Sequence, residues 1–461
     1  MTTDKSKKNE TTIIIFALLL VMFVLSTIGS FAIGLTNSFA IVSLPVVVLL
    51  LAFSLLLKNY RSYYLLIVIL IPLSNKISLN ESLTLWGLLF PLLMLSFVIK
   101  RAYKKLPDIN YFFAFLIYAV IITFLNDQYN TPMYGTSTSL DEKYSGFIQV
   151  CNLFLIILLT TNIKAIDKKF FDIILWTPLG FLPVIIYQVI FKPDWGGISS
   201  MGSWRIFGVS SQPNSFAIFM AFYIIVVMSF YFEFRKIKYL ILSAAYFLMM
   251  ILTFSRSGMG GAAFGIVILI LLINYKFQVN IRMLVFGILF VILSLFVFDS
   301  YLAQTRLSRI NVEDVESDRD YIWETIYPQI EGRELTGLGL GGYEIIRPWV
   351  FKELSPHSSY IYFMVNIGII GILIALAILI HFILKLYQYI KTNPVDRFEK
   401  ALARGSIAGL IVLISLSYVS AAAITPQIIL FLGVSIARSL YFANQNSKKN
   451  ISSSINKDKT I

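Results

Sequence analysis

Apolar runs long enough to cross a lipid bilayer recur along the whole sequence, and they restrict the chain to membrane folds. A helix needs about 20 apolar residues to span the roughly 30 Å hydrocarbon core of a bilayer. About fourteen runs approach or exceed that length. They lie near residues 12–33, 40–57, 62–79, 83–99, 111–125, 146–161, 170–191, 214–234, 239–254, 258–274, 282–298, 358–384, 405–422 and 425–443. The sequence therefore predicts an all-α, polytopic transmembrane helical bundle of about 12–14 spans.

The composition agrees with a membrane protein and excludes several other classes. Hydrophobic residues make up 57% of the 461 residues and charged residues only 14%, whereas soluble chains are about 25% charged. In such a chain the net charge of +13 does not indicate nucleic-acid binding, and we expect no nucleic-acid partner. The single cysteine, Cys151, excludes an intramolecular disulfide and a cysteine-based metal site.

The distribution of basic residues predicts how the chain is oriented in the membrane. Lysine and arginine are concentrated in alternate connections, such as Lys100–Lys105, Arg235–Lys238 and Lys385–Arg404. Because basic connections stay in the cytoplasm, this pattern places both termini there. An even number of spans agrees with that orientation.

The longest polar connection, Asp299–His357, has the opposite charge. It contains eleven of the twenty-five acidic residues and six basic ones, so we predict a large extracytoplasmic loop. Within it, Ser317–Gln329 has the apolar spacing of a helix, which we expect to cover the outer helix ends as a lid. Gly337–Gly342 follows as a predicted flexible turn. The chain then divides into N-terminal transmembrane helices (1–298), this loop (299–357), C-terminal transmembrane helices (358–443) and a disordered cytoplasmic tail (444–461).

Arg256 lies between two apolar runs, in the sequence T-F-S-R-S-G. A charged side chain inside the membrane costs several kcal/mol unless it has an anionic partner or reaches the interface. The neighbouring glycines permit close backbone approach at a helix start, where free N–H groups attract anions. This segment predicts a phosphate site at the membrane surface, and the alternative is an arginine that extends to lipid headgroups.

Three other polar residues precede predicted outer helix ends. Arg205 stands before a predicted helix start at which Asn214 is the expected N-cap, Arg319 lies in the loop, and His357 precedes a long span. Each has a structural alternative: Arg205 could pair with Asp194 or a headgroup, Arg319 with its acidic neighbours, and His357 could cap its helix.

Together these residues suit transfer from a phosphorylated lipid. Arginines bind a diphosphate through bidentate hydrogen bonds and stabilise the charge that develops as it leaves. A histidine, which titrates near neutral pH, can accept the proton of an attacking hydroxyl. No grouping of His, Asp, Glu and Cys has the spacing of a metal site, so we expect metal-independent chemistry without a cofactor.

The polar residues also form an ordered set of motifs. They are R-x-x-G…P-N (Arg205, Gly208, Pro213, Asn214), S-R-S-G (Ser255–Gly258), R-x-x-x-W…G-x-G (Arg319, Trp323, Gly337, Gly339) and H-S-x-Y…G-I-x-G (His357, Ser358, Tyr360, Gly368, Gly371). Over roughly residues 200–375 this order resembles the O-antigen ligase / Wzy-type polysaccharide polymerase family. The chain departs from the family pattern at Ser358, where members usually have Asn, and at Asn366, where they often have Glu.

The resemblance implies a GT-C-class glycosyltransferase of the bacterial inner membrane, with its active site on the outer face. It implies that Arg205 and Arg256 bind the diphosphate, with Ser255 and Asn214 in the same site. It further implies that Arg319 assists and that His357 is the catalytic base.

From the resemblance and the span count we predict an inverting polymerase of a surface polysaccharide. The donor would be an undecaprenyl-diphosphate-linked glycan and the acceptor a glycan on a lipid-linked repeat unit. Membrane lipids are expected partners, with a flippase and a chain-length regulator as further candidates. One alternative is a ligase that moves a finished glycan to a lipid, wall polymer or protein, and another is a transporter or flippase for such lipids.

Overall fold

The computed structural model describes residues 109–125, 168–191, 206, 208, 213–273, 318–347, 350, 356–392, 396–418, 420, 435, 436 and 438–445. Every regular element among these residues is helical, and none of them lies in a strand. The predicted all-α class is therefore confirmed for this part of the chain. The count of 12–14 spans and the extracytoplasmic side of the large loop stay predictions.

The helices are numbered here in chain order. They are α1 (Ile109–Leu125), α2 (Lys168–Trp176), α3 (Leu182–Phe191), α4 (Pro213–Phe234), α5 (Ile237–Ile251), α6 (Arg256–Ile273), α7 (Asp318–Ile326), α8 (Gly342–Ile346), α9 (Ser359–Lys391) and α10 (Arg397–Leu416), with 3-10 turns at Thr177–Phe181 and Tyr327–Ile330. Within the described residues, α4, α6 and α9 are long and apolar enough to cross a membrane.

Helix α4 lies at the centre of the bundle. Its sequence is apolar on all sides, which is typical of a helix surrounded by others, and α5, α6 and α10 pack around it. Small residues allow these contacts, since a Cβ at Gly265 of α6 would lie 2.3 Å from Ile225, and one at Gly405 of α10 would lie 2.8 Å from Ser229. Close approach through small residues is the usual basis of helix packing in membranes.

Helix α9 packs between α1 and α10. Its first turns also carry the described part of the predicted loop, because α7, α8 and the start of α9 share one hydrophobic cluster. That cluster includes Ile322, Ile326, Ile330, Tyr343, Ile346, Ile361, Tyr362 and Val365. The described loop helices are thus packed against the bundle, and their role as a lid stays a prediction.

Two predicted spans differ most from the observed helices. The run 170–191 is not one helix, because the chain is broken into α2, a 3-10 turn and α3 around Pro178, Gly180 and Pro183. The run 405–422 is replaced by α10, which begins eight positions earlier, at Arg397, and ends at Leu416. The charged first turns of α10 are stabilised by ion pairs that hydropathy does not reveal.

Candidate active site

Arg256 is the first residue of α6, at the end of the bundle where α4 begins. Ser255 caps the helix, because its hydroxyl accepts a hydrogen bond from the Gly258 N–H at 3.4 Å. The Thr253 hydroxyl in turn accepts one from the Ser255 N–H at 3.2 Å. Ser255 and Thr253 are buried, whereas Arg256 is exposed. The buried hydroxyls therefore fix the turn from which Arg256 extends, and contact of Ser255 with a diphosphate stays a prediction.

Gly258 holds this turn against the start of α4. A Cβ at Gly258 would lie 2.5 Å from the Cβ of Ala217, so only glycine permits this approach without a shift. Asn214 lies in the first turn of α4, just before Ala217. The prediction that Asn214 is the N-cap is wrong, because the helix begins at Pro213, whose fixed φ suits the first helical position. The structure nevertheless brings the turns of Asn214 and Arg256 together.

Arg205 itself lies outside the described residues, but two of its neighbours locate the segment. The Ile206 N–H donates to the Leu252 carbonyl at 3.3 Å, three residues before Ser255. The Gln188 side chain in α3 holds Gly208 through two hydrogen bonds, of 2.8 and 3.0 Å. Sequence reasoning missed Gln188, although a lone amide in the apolar α3 was the available signal.

His357 immediately precedes α9 at the same end of the bundle. It is not the helix cap, because the Ser358 side chain accepts from the Ile361 N–H at 3.4 Å. His357 has φ +53°, a left-handed conformation that is uncommon outside glycine and enriched for histidine and asparagine. Such a backbone is kept only where its surroundings enforce it, which is common at functional sites.

The end of α10 supplies those surroundings. The Ser417 carbonyl accepts from the Ser359 N–H at 2.8 Å and from the Ser358 hydroxyl at 3.2 Å. The Tyr360 hydroxyl donates to the Ile414 carbonyl at 2.8 Å. The position of His357 is therefore fixed by three consecutive residues anchored to α10.

Helix α7 approaches His357 from the loop. The Trp323 indole N–H donates to the Pro356 carbonyl at 2.9 Å, directly before His357 in the chain. Arg319 lies in the first turn of α7, one turn before Trp323. Its side chain is outside the described part, so its assisting role stays a prediction.

The sequence predicted a flexible turn at Gly337–Gly342. The structure instead holds this turn by hydrogen bonds against a break in α9. The break is at Gly368, with φ +66°, where a Cβ would lie 2.2 Å from the Leu335 carbonyl oxygen. Carbonyls of Val365 and Asn366 accept from the Leu338 and Gly339 N–H groups at 2.7 and 2.8 Å. Backbone groups freed by the break are thus paired with the loop.

Asn366, the second departure from the family pattern, has a structural role in this arrangement. It is 2% exposed, and its side chain donates to the Tyr362 carbonyl at 2.8 Å and accepts from the Tyr343 N–H at 3.4 Å. Asn366 therefore joins α9 to the start of α8.

The Arg256 and His357 turns belong to one end of the molecule. Five positions into α6, a Cβ at Gly261 would lie 2.6 Å from Leu416, the last residue of α10. Ser417 follows and holds the residues after His357. A cation at a helix start and a histidine are therefore on adjacent helix ends, an arrangement that can bind an anion and accept a proton.

Within the described residues, carboxylates neither pair with Arg256 nor cluster as metal ligands. Among the ion pairs formed within them, none involves Arg256. They also contain no group of three or more His, Cys, Asp or Glu side chains that could hold a metal ion. The absence of a metal from the reaction stays a prediction.

Comparison with known proteins agrees with the motifs. Residues 239–376 match a family model described as O-antigen ligase, and this region contains Arg256, Arg319 and His357. No curated protein matches the chain. The family resemblance predicted from the motifs is thereby confirmed for residues 239–376, which are similar to the O-antigen ligase family, and three of the described helices are long and apolar enough to cross a membrane.

Proposed function

We propose that this protein is a membrane glycosyltransferase that polymerises a bacterial surface polysaccharide from undecaprenyl-diphosphate-linked glycans. The observation that carries the proposal is the placement of Arg256 and His357 on adjacent helix ends, joined through α10. The O-antigen ligase match supports an enzyme that acts on lipid-linked glycans.

In the proposed reaction, Arg256 binds the diphosphate of the donor at the start of α6, with Arg205 and Asn214 beside it. His357 accepts the proton from a hydroxyl of the acceptor sugar, and that oxygen attacks the anomeric carbon of the donor. The bond between this carbon and the diphosphate oxygen breaks, and its electron pair stays on the diphosphate. The attack inverts the anomeric configuration, and Arg319 assists by neutralising the charge that develops.

Surface glycan from a deletion strain would separate polymerase from ligase. If the protein is a polymerase, the strain should carry a glycan of a single repeat unit. Full-length lipid-linked polymer that is never transferred would instead identify a ligase. Loss of all lipid-linked glycan from the outer face, with repeat units accumulating inside, would identify a transporter.

Purified protein with a lipid-linked donor and acceptor tests the site directly. Arg256→Ala should raise the KM for the donor much more than the KM for the acceptor, because the guanidinium is proposed to bind the diphosphate of the donor and not the acceptor. Full activity of Arg256→Ala at normal expression would return this residue to the role of a headgroup anchor.

The proposal requires the end that carries Arg256 and His357 to lie outside the cytoplasm. Leu335, which is 61% exposed, lies in the loop segment between α7 and α8, whereas Lys236 lies between α4 and α5 at the opposite end. In a Cys151→Ser background, Leu335→Cys should react with an impermeant thiol reagent in intact cells or spheroplasts, and Lys236→Cys only after the membrane is opened. The reverse pattern would contradict the proposed orientation.

A further inference from the structure

We propose that Trp323 and Tyr418 form an aromatic platform that binds a sugar ring of the acceptor glycan beside His357. This inference rests on the proposed function and extends it to the part of the reaction that the family motifs leave open. It concerns two residues on different elements, one in the loop helix α7 and one directly after α10.

The two rings are held together next to His357. Their centroids are 5.8 Å apart, with a 68° angle between the ring planes. Trp323 donates its N–H to the carbonyl of Pro356, the residue before His357. Tyr418 follows Ser417, whose carbonyl accepts from Ser358 and Ser359, the two residues after His357. Backbone contacts on both sides of the histidine therefore position the pair.

The two rings have different tasks in this arrangement. Trp323 is partly buried, and its donor is used within the protein, so it supports the second ring. Tyr418 is 59% exposed and carries a hydroxyl that can donate or accept. A supported ring with a polar tip loses little conformational freedom when a ligand covers it.

Sugars are the ligand class that suits this surface. One face of a pyranose ring presents C–H groups, which pack on the electron-rich face of an aromatic ring, while its hydroxyls need hydrogen-bond partners at the edge. Tyr418 offers both an apolar face and a polar tip. The described cations near the site, such as Arg256, suit a diphosphate and not a neutral sugar.

A simple aromatic belt at the membrane interface explains the pair less well. In a belt, the indole N–H is directed to the aqueous headgroup region, whereas here it is donated to the Pro356 carbonyl. Trp323 also lies in α7, whose sequence DRDYIWETI is too polar and short for a membrane-spanning helix. The pair is thus assembled by the loop on top of the bundle.

The platform belongs to the acceptor because of its place relative to the base. The base must reach the hydroxyl of the acceptor sugar, and the rings are anchored to the residues on either side of His357. The proposed diphosphate site lies across the end of α10, at the start of α6. A sugar on Tyr418 is therefore next to the base and away from the leaving group.

The test is steady-state kinetics of the full-length protein with a lipid-linked donor and acceptor. Tyr418→Ala should raise the KM for the acceptor by about threefold to tenfold, the loss expected for one aromatic contact. The KM for the donor and the melting temperature should stay unchanged. Tyr418→Phe should keep most of the affinity, since the ring remains. Tyr327→Ala removes a tyrosine of similar exposure (50%) after α7 and should change neither KM.

Binding of lipid-free oligosaccharides, released from the host's surface glycan by mild acid, gives a readout without transfer. Titration calorimetry should show weaker binding to Tyr418→Ala than to the wild type or Tyr327→Ala. Unchanged acceptor KM and binding in Tyr418→Ala would overturn the platform, and so would an equal loss in Tyr327→Ala. If the platform is overturned in this way but Arg256→Ala and His357→Asn are inactive, the proposed function still holds. A wild-type protein that binds oligosaccharide but transfers none would overturn the proposed function instead.

Discussion

The two ends of the helical bundle use their charged side chains in opposite ways. At the ion-paired end, where α4 ends and α10 begins, Glu233 lies 2.7 Å from Arg404, and Glu399 lies 2.5 Å from Arg438. At the serine-lined end, where α6 and α9 begin and α10 ends, hydroxyls contact backbone groups, as Ser358 does with the Ser417 carbonyl. Among the described residues, ion pairs join helices at the first end, and hydrogen bonds between hydroxyls and carbonyls join them at the second.

This difference indicates what the cations of each end are for. Arg438 at the ion-paired end neutralises Glu399, since both side chains are buried and the charge of each requires the other. Arg256 at the serine-lined end is exposed and pairs with no carboxylate among the described residues. An arginine kept away from carboxylates stays available to an anionic ligand.

The largest effect that we predict is on catalysis at the serine-lined end. His357→Asn should lower the transfer rate by about two to four orders of magnitude, the usual contribution of a general base. Asparagine is the appropriate substitution because it tolerates the left-handed backbone that His357 adopts, at φ +53°. The rate should be measured on purified protein with saturating lipid-linked substrates.

Stability provides the control for this variant. The melting temperature of His357→Asn should match that of the wild type, because asparagine tolerates the same backbone conformation and Ser358 caps α9. A His357→Asn protein with near wild-type turnover would exclude His357 as the base.

The next largest effect should be on stability at the ion-paired end. Arg438→Ala leaves the buried Glu399 carboxylate without its cation, which should lower the free energy of unfolding by about 3–5 kcal/mol. Thermal unfolding in detergent would measure the loss. Lys168→Ala removes a solvent-exposed partner of Asp396 and should cost less than about 1 kcal/mol.

A double variant distinguishes loss of the ion pair from loss of packing. Arg438→Met combined with Glu399→Leu replaces both charges with apolar side chains and should recover most of the stability. If the double variant is as unstable as Arg438→Ala, packing and not charge explains the effect.

The same contrast shows how much of the fold was predictable. The run 214–234 coincides with α4 within one residue, because a helix that is apolar on every side needs no information about its neighbours. The start of α10 was not predictable. In the sequence, Arg397 and Arg404 have the pattern of a cytoplasmic connection. In the structure, both lie beside Glu233 of α4 and form ion pairs with it. Tertiary ion pairs between residues far apart in sequence leave no periodic signal.

The candidate site shows a similar limit. His357 and Arg256 were identified because charged residues at helix ends are rare in an apolar chain. The rigidity of the Gly337–Gly342 turn was not identified, because it depends on hydrogen bonds to α9, such as Gly339 N–H to the Asn366 carbonyl at 2.8 Å. Glycine composition alone indicates conformational freedom of the backbone. Hydrogen bonds to a neighbouring helix, here α9, decide whether the turn is held in one conformation.

A smaller effect should follow from filling the space between α6 and α4. Gly258→Ala would force the added methyl against Ala217 and should cost about 1–3 kcal/mol of stability, with a raised donor KM as the Arg256 turn shifts. Gly260, two residues later, is the matched control because a Cβ there meets nothing within 4 Å. Equal behaviour of Gly258→Ala and Gly260→Ala in thermal unfolding and donor kinetics would show that the close approach does not position Arg256.

The last effect that we predict separates charge from geometry at Arg256. Arg256→Lys keeps the charge but loses the planar fork that binds two phosphate oxygens at once, so the donor KM should rise by about tenfold, less than in Arg256→Ala. The melting temperature should not change, because Arg256 is exposed and forms no ion pair with the described residues. Donor kinetics at several salt concentrations would complete the test, since screening should weaken donor binding more in the wild type and the lysine variant than in the alanine variant, which keeps only Arg205 at the diphosphate. If lysine restored full affinity, Arg256 would act as a point charge. If instead Arg256→Lys lowered the melting temperature as Arg438→Ala is expected to do, the serine-lined end would depend on charge for its stability, and the contrast between the two ends would be wrong.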